Sequence, residues 1–287
     1  MPAVVAVVGP TATGKSALGV DLALALGGEV VNADSMQLYR GMDIGTAKLT
    51  VAERRGVPHH LLDIWPVTHP ASVAEYQQLA RAAVDDVAGR GLVPIVVGGS
   101  GLYVRALLDR IEFPGTDPAV RAELESELEH LGAAALHERL SSADPAAAAA
   151  ILATNGRRIV RALEVIAITG RPFSAGLPAY ESDYDVVQVG LDCDDVELDV
   201  RVDARVQRMF DDGLVDEVRR LVDVGLREGR TAPRALGYQQ VLAMLDGRCT
   251  EVEAREETAR ATRRFVRRQR SWFRRDPRIH WVGRREN

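Results

Sequence analysis

Two groups of residues near the N-terminus have the types and the spacing for chemistry. Gly9-Pro10-Thr11-Ala12-Thr13-Gly14-Lys15-Ser16 is a complete G-x-x-x-x-G-K-[ST] phosphate-binding loop. Its glycines let the backbone wrap an anion, with successive N–H groups and the positive end of the following helix pointed at it. Lys15 is placed to neutralise phosphates and Ser16 to hold a magnesium ion. The second group is Asp34-Ser35-Met36-Gln37, set beyond the apolar stretch that follows the loop's helix. From spacing alone the Asp34 carboxylate has three readings: magnesium ligand, helix cap or general base. A P-loop kinase or ATPase usually adds an acid at the end of a neighbouring strand to hold magnesium and water. Here the apolar run ending at Val97 enters Gly98-Gly99 without one. The loop therefore specifies a polyphosphate without saying which.

These residues need strands that end beside one another. Ala3 to Val8 reads as a buried parallel strand and Ser16 to Leu26 as a helix, with Leu18, Leu22 and Leu26 on one face. Glu29 to Ala33 reads as a second strand, Ser72 to Arg90 as a helix, Leu92 to Val97 as a third strand, and Gly98-Gly99-Ser100-Gly101 as the opening of another helix. Repeated β–loop–α units predict a parallel sheet with helices on its faces and ligands at the strand ends. After Phe113-Pro114-Gly115 the pattern is helical as far as Gly170, with Asp117-Pro118 and Asp144-Pro145 as cap-plus-proline starts. Strand character returns over Tyr184 to Leu191, and helices follow to about Arg275. The expected fold is thus α/β, a P-loop NTPase-like parallel sheet core (residues 1–113 and 184–287) with a small all-helical domain inserted at residues 114–183.

The composition is that of an ordinary globular protein, 46% apolar and 27% charged, and no apolar run approaches the ~20 residues needed to span a bilayer. Cys193 and Cys249 have neither metal-ligand spacing nor a disulfide framework, and a cytoplasmic location is expected. The net charge of −5 argues against a nucleic-acid partner taken whole, yet Arg255 to Arg285 is strongly basic, and Arg260, Arg264, Arg267 or Arg268, and Arg274 can share one broad helical face. Lys15 and Lys48 are the only lysines. An arginine-biased chain that keeps Lys15 fits a site needing a compact ammonium. For Lys48 a solvated surface position is as good a reading.

The long block Asn32 to Lys48 resembles the signature of the tRNA dimethylallyltransferases, also called tRNA isopentenyltransferases. Pro10-Thr11-Ala12, His59-His60-Leu61, Gly98 to Tyr103, Arg161 to Val165, Arg234 to Gln239 and Arg267 to Phe273 recur in the family's order. The resemblance runs nearly end to end. It implies transfer of a dimethylallyl group from dimethylallyl diphosphate to the exocyclic amine of the adenosine 3′ of the anticodon. Asp34 would be the base, with Lys15, Thr11, Arg205 and Ser16 with Mg2+ meeting the leaving diphosphate. It further implies tRNA contacts from Asp34, Ser35, Met36, Gln37, Ser100, Arg121, the segment Arg157-Arg158-Ile159-Val160-Arg161, and Arg234-Ala235-Leu236-Gly237-Tyr238-Gln239. Position 100 is serine where the family commonly has threonine, which keeps the hydroxyl. The chain shows no zinc-finger extension of the eukaryotic kind, so a bacterial enzyme acting as a monomer on the anticodon stem-loop is expected. A small-molecule kinase is the alternative, and a non-catalytic tRNA-binding protein is disfavoured by intact Lys15, Ser16 and Asp34.

Overall fold

The computed structural model describes residues 3–173 and 180–283. Two compact units emerge: Met1–Asp109 with Ser182–Asn287, and Arg110–Glu181 between them. The sequence places these edges at 114 and 183, four and two residues further along the chain. The difference at the first edge reflects the chain's pairing: Asp109 and Ser182 form a bridge within the first unit, so the units part just beyond it.

The first unit is built on a six-stranded, wholly parallel sheet in the order β3-β2-β4-β1-β5-β6. Its strands are β1 (Ala3–Val8), β2 (Gly28–Asn32), β3 (His59–His60), β4 (Val93–Gly98), β5 (Asp185–Leu191) and β6 (Ile279–Val282). β1 and β4 lie at the centre, and Val4, Val7, Val8, Ile95, Val96 and Val97 are buried, as a parallel sheet covered on both faces requires. The helices of this unit are α1 (Lys15–Leu26), α2 (Val73–Gly89), α3 (Gly101–Leu108), α7 (Asp195–Asp211), α8 (Leu214–Asp223), α9 (Tyr238–Leu245) and α10 (Glu251–Phe273). Local chemistry sets several ends. Ser72 caps α2 by accepting from Glu75 N, and Thr250 and Glu253 form a reciprocal capping box at the start of α10. Strands β3 and β6 were not foreseen: two and four residues give too little alternation to read.

The second unit is helical: α4 (Pro118–Ala143), α5 (Pro145–Ala150) and α6 (Gly156–Thr169). Asp117, Asp144 and Asn155 cap the three N-termini with their side chains, and Gly170 closes α6 in the left-handed conformation. Gly132, at φ 80°, breaks α4 into two segments that pack with α6. Leu124, Leu136, Leu140, Ile159 and Leu163 form its core.

Candidate active site

A narrow cleft at the C-terminal ends of β1, β2 and β4 gathers Thr11, Lys15, Ser16, Asp34, Gln37, Gly98, Gly99 and Arg205. It is the crevice where an open parallel sheet places its ligands. The loop after β1 turns sharply, with Gly9 at φ +134° and Gly14 at φ +89°, and delivers α1 with its first turn facing the cleft. Thr13 Oγ1 and Lys15 Nζ both donate to Pro10 O, at 2.9 and 2.5 Å.

Lys15 and Arg205 line this cleft together, and among the described residues Asp34 is the one carboxylate lining it to offset them. Burial, together with the Arg205 charge and against the pull of Asp34, pushes the Lys15 ammonium down to about 7. Arg205 projects from α7. Its Nη2 donates to Thr46 O at 3.2 Å while its Nε has no partner, and burial lowers its guanidinium as well. Two desolvated cations, one with an orphaned donor, against one carboxylate form a site that gains by taking up an anion.

Asp34 is held by the residue two before it. Asn32 Oδ1 accepts from Asp34 N at 2.9 Å, and Asn32 Nδ2 donates to Asp34 O at 3.0 Å and to Leu61 O at 3.1 Å. Asp34 Oδ1 accepts from Met36 N at 2.9 Å, which orients the carboxylate. Ser35 N donates to Ser100 Oγ at 3.2 Å, tying this turn to the start of α3. Gln37 Nε2 donates to Thr46 O at 3.1 Å, the carbonyl Arg205 also uses, so its amide donor serves the cleft wall. The missing acid after β4 has a steric cause. A Cβ at Gly98 would lie 2.3 Å from the Ala33 carbonyl oxygen, which excludes a side chain there, and one at Gly99 would lie 2.5 Å from Gln269 Nε2 and displace that amide.

The other candidates separate by exposure. Arg157 and Arg158 are exposed on α6, while Ile159 and Val160 are core side chains of the second unit and cannot present themselves to a partner. Arg121 pairs with Glu125 at 2.9 Å and with the fully buried Glu164 at 3.2 Å. Arg161 reaches the same Glu164 at 2.8 Å and also donates to Pro114 O and Gly115 O. In the segment 234–239, Arg234 and Gln239 are exposed. Ala235, Gly237 and Tyr238 are buried, and Leu236 lies between these extremes. The Tyr238 hydroxyl donates to Glu217 Oε1 at 2.5 Å, so this side chain belongs to the interior.

Glu217 is the functional support that sequence reading missed. Buried on α8, it accepts from the backbone N–H groups of Asp43, Ile44 and Gly45 at 3.1, 2.8 and 3.2 Å, fixing the loop that presents Thr46 to the cleft. On an acidic amphipathic helix nothing marks one glutamate as inward-facing. Lys48 is also corrected. It is buried, not a solvated surface residue, and joins Asp43, Asp63 and Tyr39 O at 2.6, 2.6 and 3.0 Å. The basic face of α10 is largely neutralised: Arg260 and Arg264 pair with Glu257, Arg267 with Asp199 and Arg274 with Asp192. Arg284 and Arg285 lie outside the described residues. Among the described residues no cluster of His, Cys, Asp and Glu could hold a metal by itself, and no helix is long and apolar enough to cross a membrane.

A family model described as IPP transferase matches residues 37–276. The chain belongs to the IPP transferase family. A Salinispora arenicola protein named tRNA dimethylallyltransferase is 72% identical over 97% of this chain and 82% of its own length. A Streptomyces coelicolor protein of the same name is 70% identical over 98% and 90%. Among solved structures, the Bacillus halodurans tRNA isopentenylpyrophosphate transferase shares 42% identity at a TM-score of 0.73, covering 99% of this chain and 90% of that one. A eukaryotic dimethylallyltransferase acting on tRNA shares 25% at a TM-score of 0.85, covering 99% and 74%. Members of this family are transferases, and the relatives agree with the prenyltransferase reading over the kinase alternative.

Proposed function

We propose that the protein transfers the dimethylallyl group of dimethylallyl diphosphate to N6 of the adenosine immediately 3′ of the anticodon, in tRNAs reading codons that begin with U. The observation that carries this is the pair of poorly compensated cations, Lys15 and Arg205, set across one cleft from the carboxylate of Asp34. The adenine amine is a weak nucleophile because its lone pair is delocalised into the ring. In the reaction N6 bonds to C1 of the allyl group and the C1–O bond breaks. The diphosphate leaves with the bonding electrons, and the amine proton passes to the Asp34 carboxylate. Proton acceptance of this kind is typically worth about 10²–10⁴ in rate. Lys15, Arg205, the Thr11 hydroxyl and the N–H groups of the loop meet the charge growing on the diphosphate, where such donors act most strongly.

Ser16, half-buried beside Lys15, suits a magnesium ion carried chiefly by diphosphate oxygens, the usual habit of that ion. Bound there, the ion would supply charge neutralisation. The acceptor base must leave its stack, which costs least in a single-stranded anticodon loop. Ser35, Met36, Gln37 and Ser100 border Asp34 and suit contact with the extruded adenosine. Arg234 and Gln239 in the first unit, with Arg157 and Arg158 in the second, suit the phosphates of the stem-loop, whereas Arg121 and Arg161 are engaged with Glu164. The protein acts as a monomer in the cytoplasm. Incubation with magnesium, labelled dimethylallyl diphosphate and a tRNA reading a U-initial codon should label that adenosine and release diphosphate. Unlabelled tRNA, with ATP-dependent phosphorylation of a small molecule instead, would overturn the reading.

A further inference from the structure

One peptide plane in the phosphate loop is held from both sides. The carbonyl of Pro10 accepts from Thr13 Oγ1 and Lys15 Nζ. On the opposite edge of the same peptide, Thr11 N donates at 2.9 Å to Oε1 of Gln269, a buried residue on α10. The same amide donates through Nε2 to Gly99 O at 2.9 Å. One side chain thus bridges the loops leaving β1 and β4, neighbouring strands at the centre of the sheet. The bridge has one polarity: the amide oxygen must face Thr11 and the nitrogen Gly99. No other natural side chain of this length offers an acceptor and a donor together. A Cβ at Gly99 would lie 2.5 Å from Gln269 Nε2, so a larger residue there would displace this amide from its seat.

We infer that Gln269 is a positioning residue for the phosphate-binding loop, keeping the Thr11 hydroxyl and the N–H groups beyond it turned toward the anion. The inference rests on the reading of that loop as a diphosphate site. Its physical basis is what happens to Lys15 when an anion arrives. The ammonium now bonded to Pro10 O is drawn to the phosphates, and the carbonyl loses one of its two donors. Without the restraint on the Thr11 N–H, the plane can rotate and turn the Pro10 oxygen, a partial negative charge, into the phosphate site. Gln269 blocks that rotation from a helix that follows the loop by more than two hundred residues and carries none of the reacting groups.

The test is binding of inorganic diphosphate with magnesium, measured by calorimetry on the full chain, beside tRNA affinity and melting temperature. Gln269→Met keeps the volume and removes both hydrogen bonds. It should weaken diphosphate binding about tenfold, in keeping with the loss of two modest hydrogen bonds. KM for the prenyl donor should rise with it, while tRNA affinity stays within twofold. Gln269→Glu keeps the acceptor for Thr11 but loses the donor to Gly99 and adds a negative charge. It should weaken diphosphate binding further, by a factor that shrinks as salt is raised. Diphosphate affinity within twofold of wild type in both variants would overturn the inference, as would parallel losses of diphosphate, tRNA and stability. A wild-type protein that does not bind diphosphate would remove the parent reading, and this one with it.

Discussion

Lys15 and Arg205 in the first unit, and Arg121 and Arg161 in the second, are cations of equal formal charge in opposite settings. The first two share a cleft with a single carboxylate. Each is depressed by burial, Lys15 also by its cationic neighbour, and Arg205 keeps an unpartnered Nε. The second two converge on Glu164, which is fully buried, and Arg121 has Glu125 besides. A cation short of counter-charge marks a place for a ligand, whereas a cation already satisfied holds its own fold together. Residue type alone does not tell the two apart; the partner list does.

The sharpest way to break the comparison is at the one carboxylate in the cationic cleft. Asp34→Ala should lower turnover by about 10²–10⁴ while tRNA affinity stays near wild type. Single-turnover prenylation alongside filter binding would measure both. Turnover close to wild type would show that another group accepts the proton, and that Asp34 serves only to balance Lys15 and Arg205.

The reverse experiment addresses the satisfied pair. Arg121→Gln leaves Glu164 with Arg161 alone, and one Glu164 oxygen already has no partner. The variant should lose about 1–3 kcal/mol of stability in urea unfolding. In a Glu164→Gln background the same change should cost distinctly less, because no buried charge is then abandoned. Equal costs in the two backgrounds would mean that Arg121 is free to act as a phosphate ligand much as Arg157 is.

The elements that place the cleft were legible because their signals are local. The apolar runs of β1, β2, β4 and β5, the glycine loop, and the Asp-Pro starts at 117 and 144 each declare themselves within a few residues. Lys15, Ser16, Asp34 and Arg205 do meet in one cleft. The supports were not legible, since their partners lie far away in the chain. Glu217 is 174 residues from Asp43, whose N–H it accepts, and Gln269 is 258 from Thr11. Lys48 reads equally well as a surface or a site lysine until Asp43 and Asp63 close around it. Asn32 reads as an interior residue of the strand Glu29 to Ala33, yet its amide holds both backbone groups of Asp34.

The charge imbalance of the cleft also carries a pH signature. The Lys15 ammonium sits at about 7 in the folded protein against an ordinary 10.5, so between those values the unfolded chain binds the extra proton. Stability of the ligand-free protein contributed by this site therefore rises with pH: the penalty is fully present below about 7 and fades toward 10.5. Lys15→Met removes the ionisation. It should melt higher than wild type at pH 6–7, with the difference narrowing by pH 9–10. A gap constant across that range would place the ammonium's proton affinity near its ordinary value and weaken the case that the cleft takes an anion.

The smallest effect belongs to the two exposed arginines of α6. Arg157 and Arg158 take part in none of the ion pairs among the described residues, so each is free to meet a phosphate without breaking an internal bond. A side chain that neutralises one phosphate releases about one counterion, and its removal lowers the slope of log K against log salt by nearly one. Arg157→Gln and Arg158→Gln should each flatten the salt dependence of tRNA binding by about that amount, with a few-fold loss of affinity at low salt and an unchanged melting temperature. Arg121→Gln should show the opposite pattern, a marked loss of stability with a smaller change in salt slope, because its charge is already spent on Glu125 and Glu164. If all three variants flatten the slope alike, ion pairing inside the second unit does not prevent phosphate contact, and the division between satisfied and unsatisfied cations holds only in the cleft.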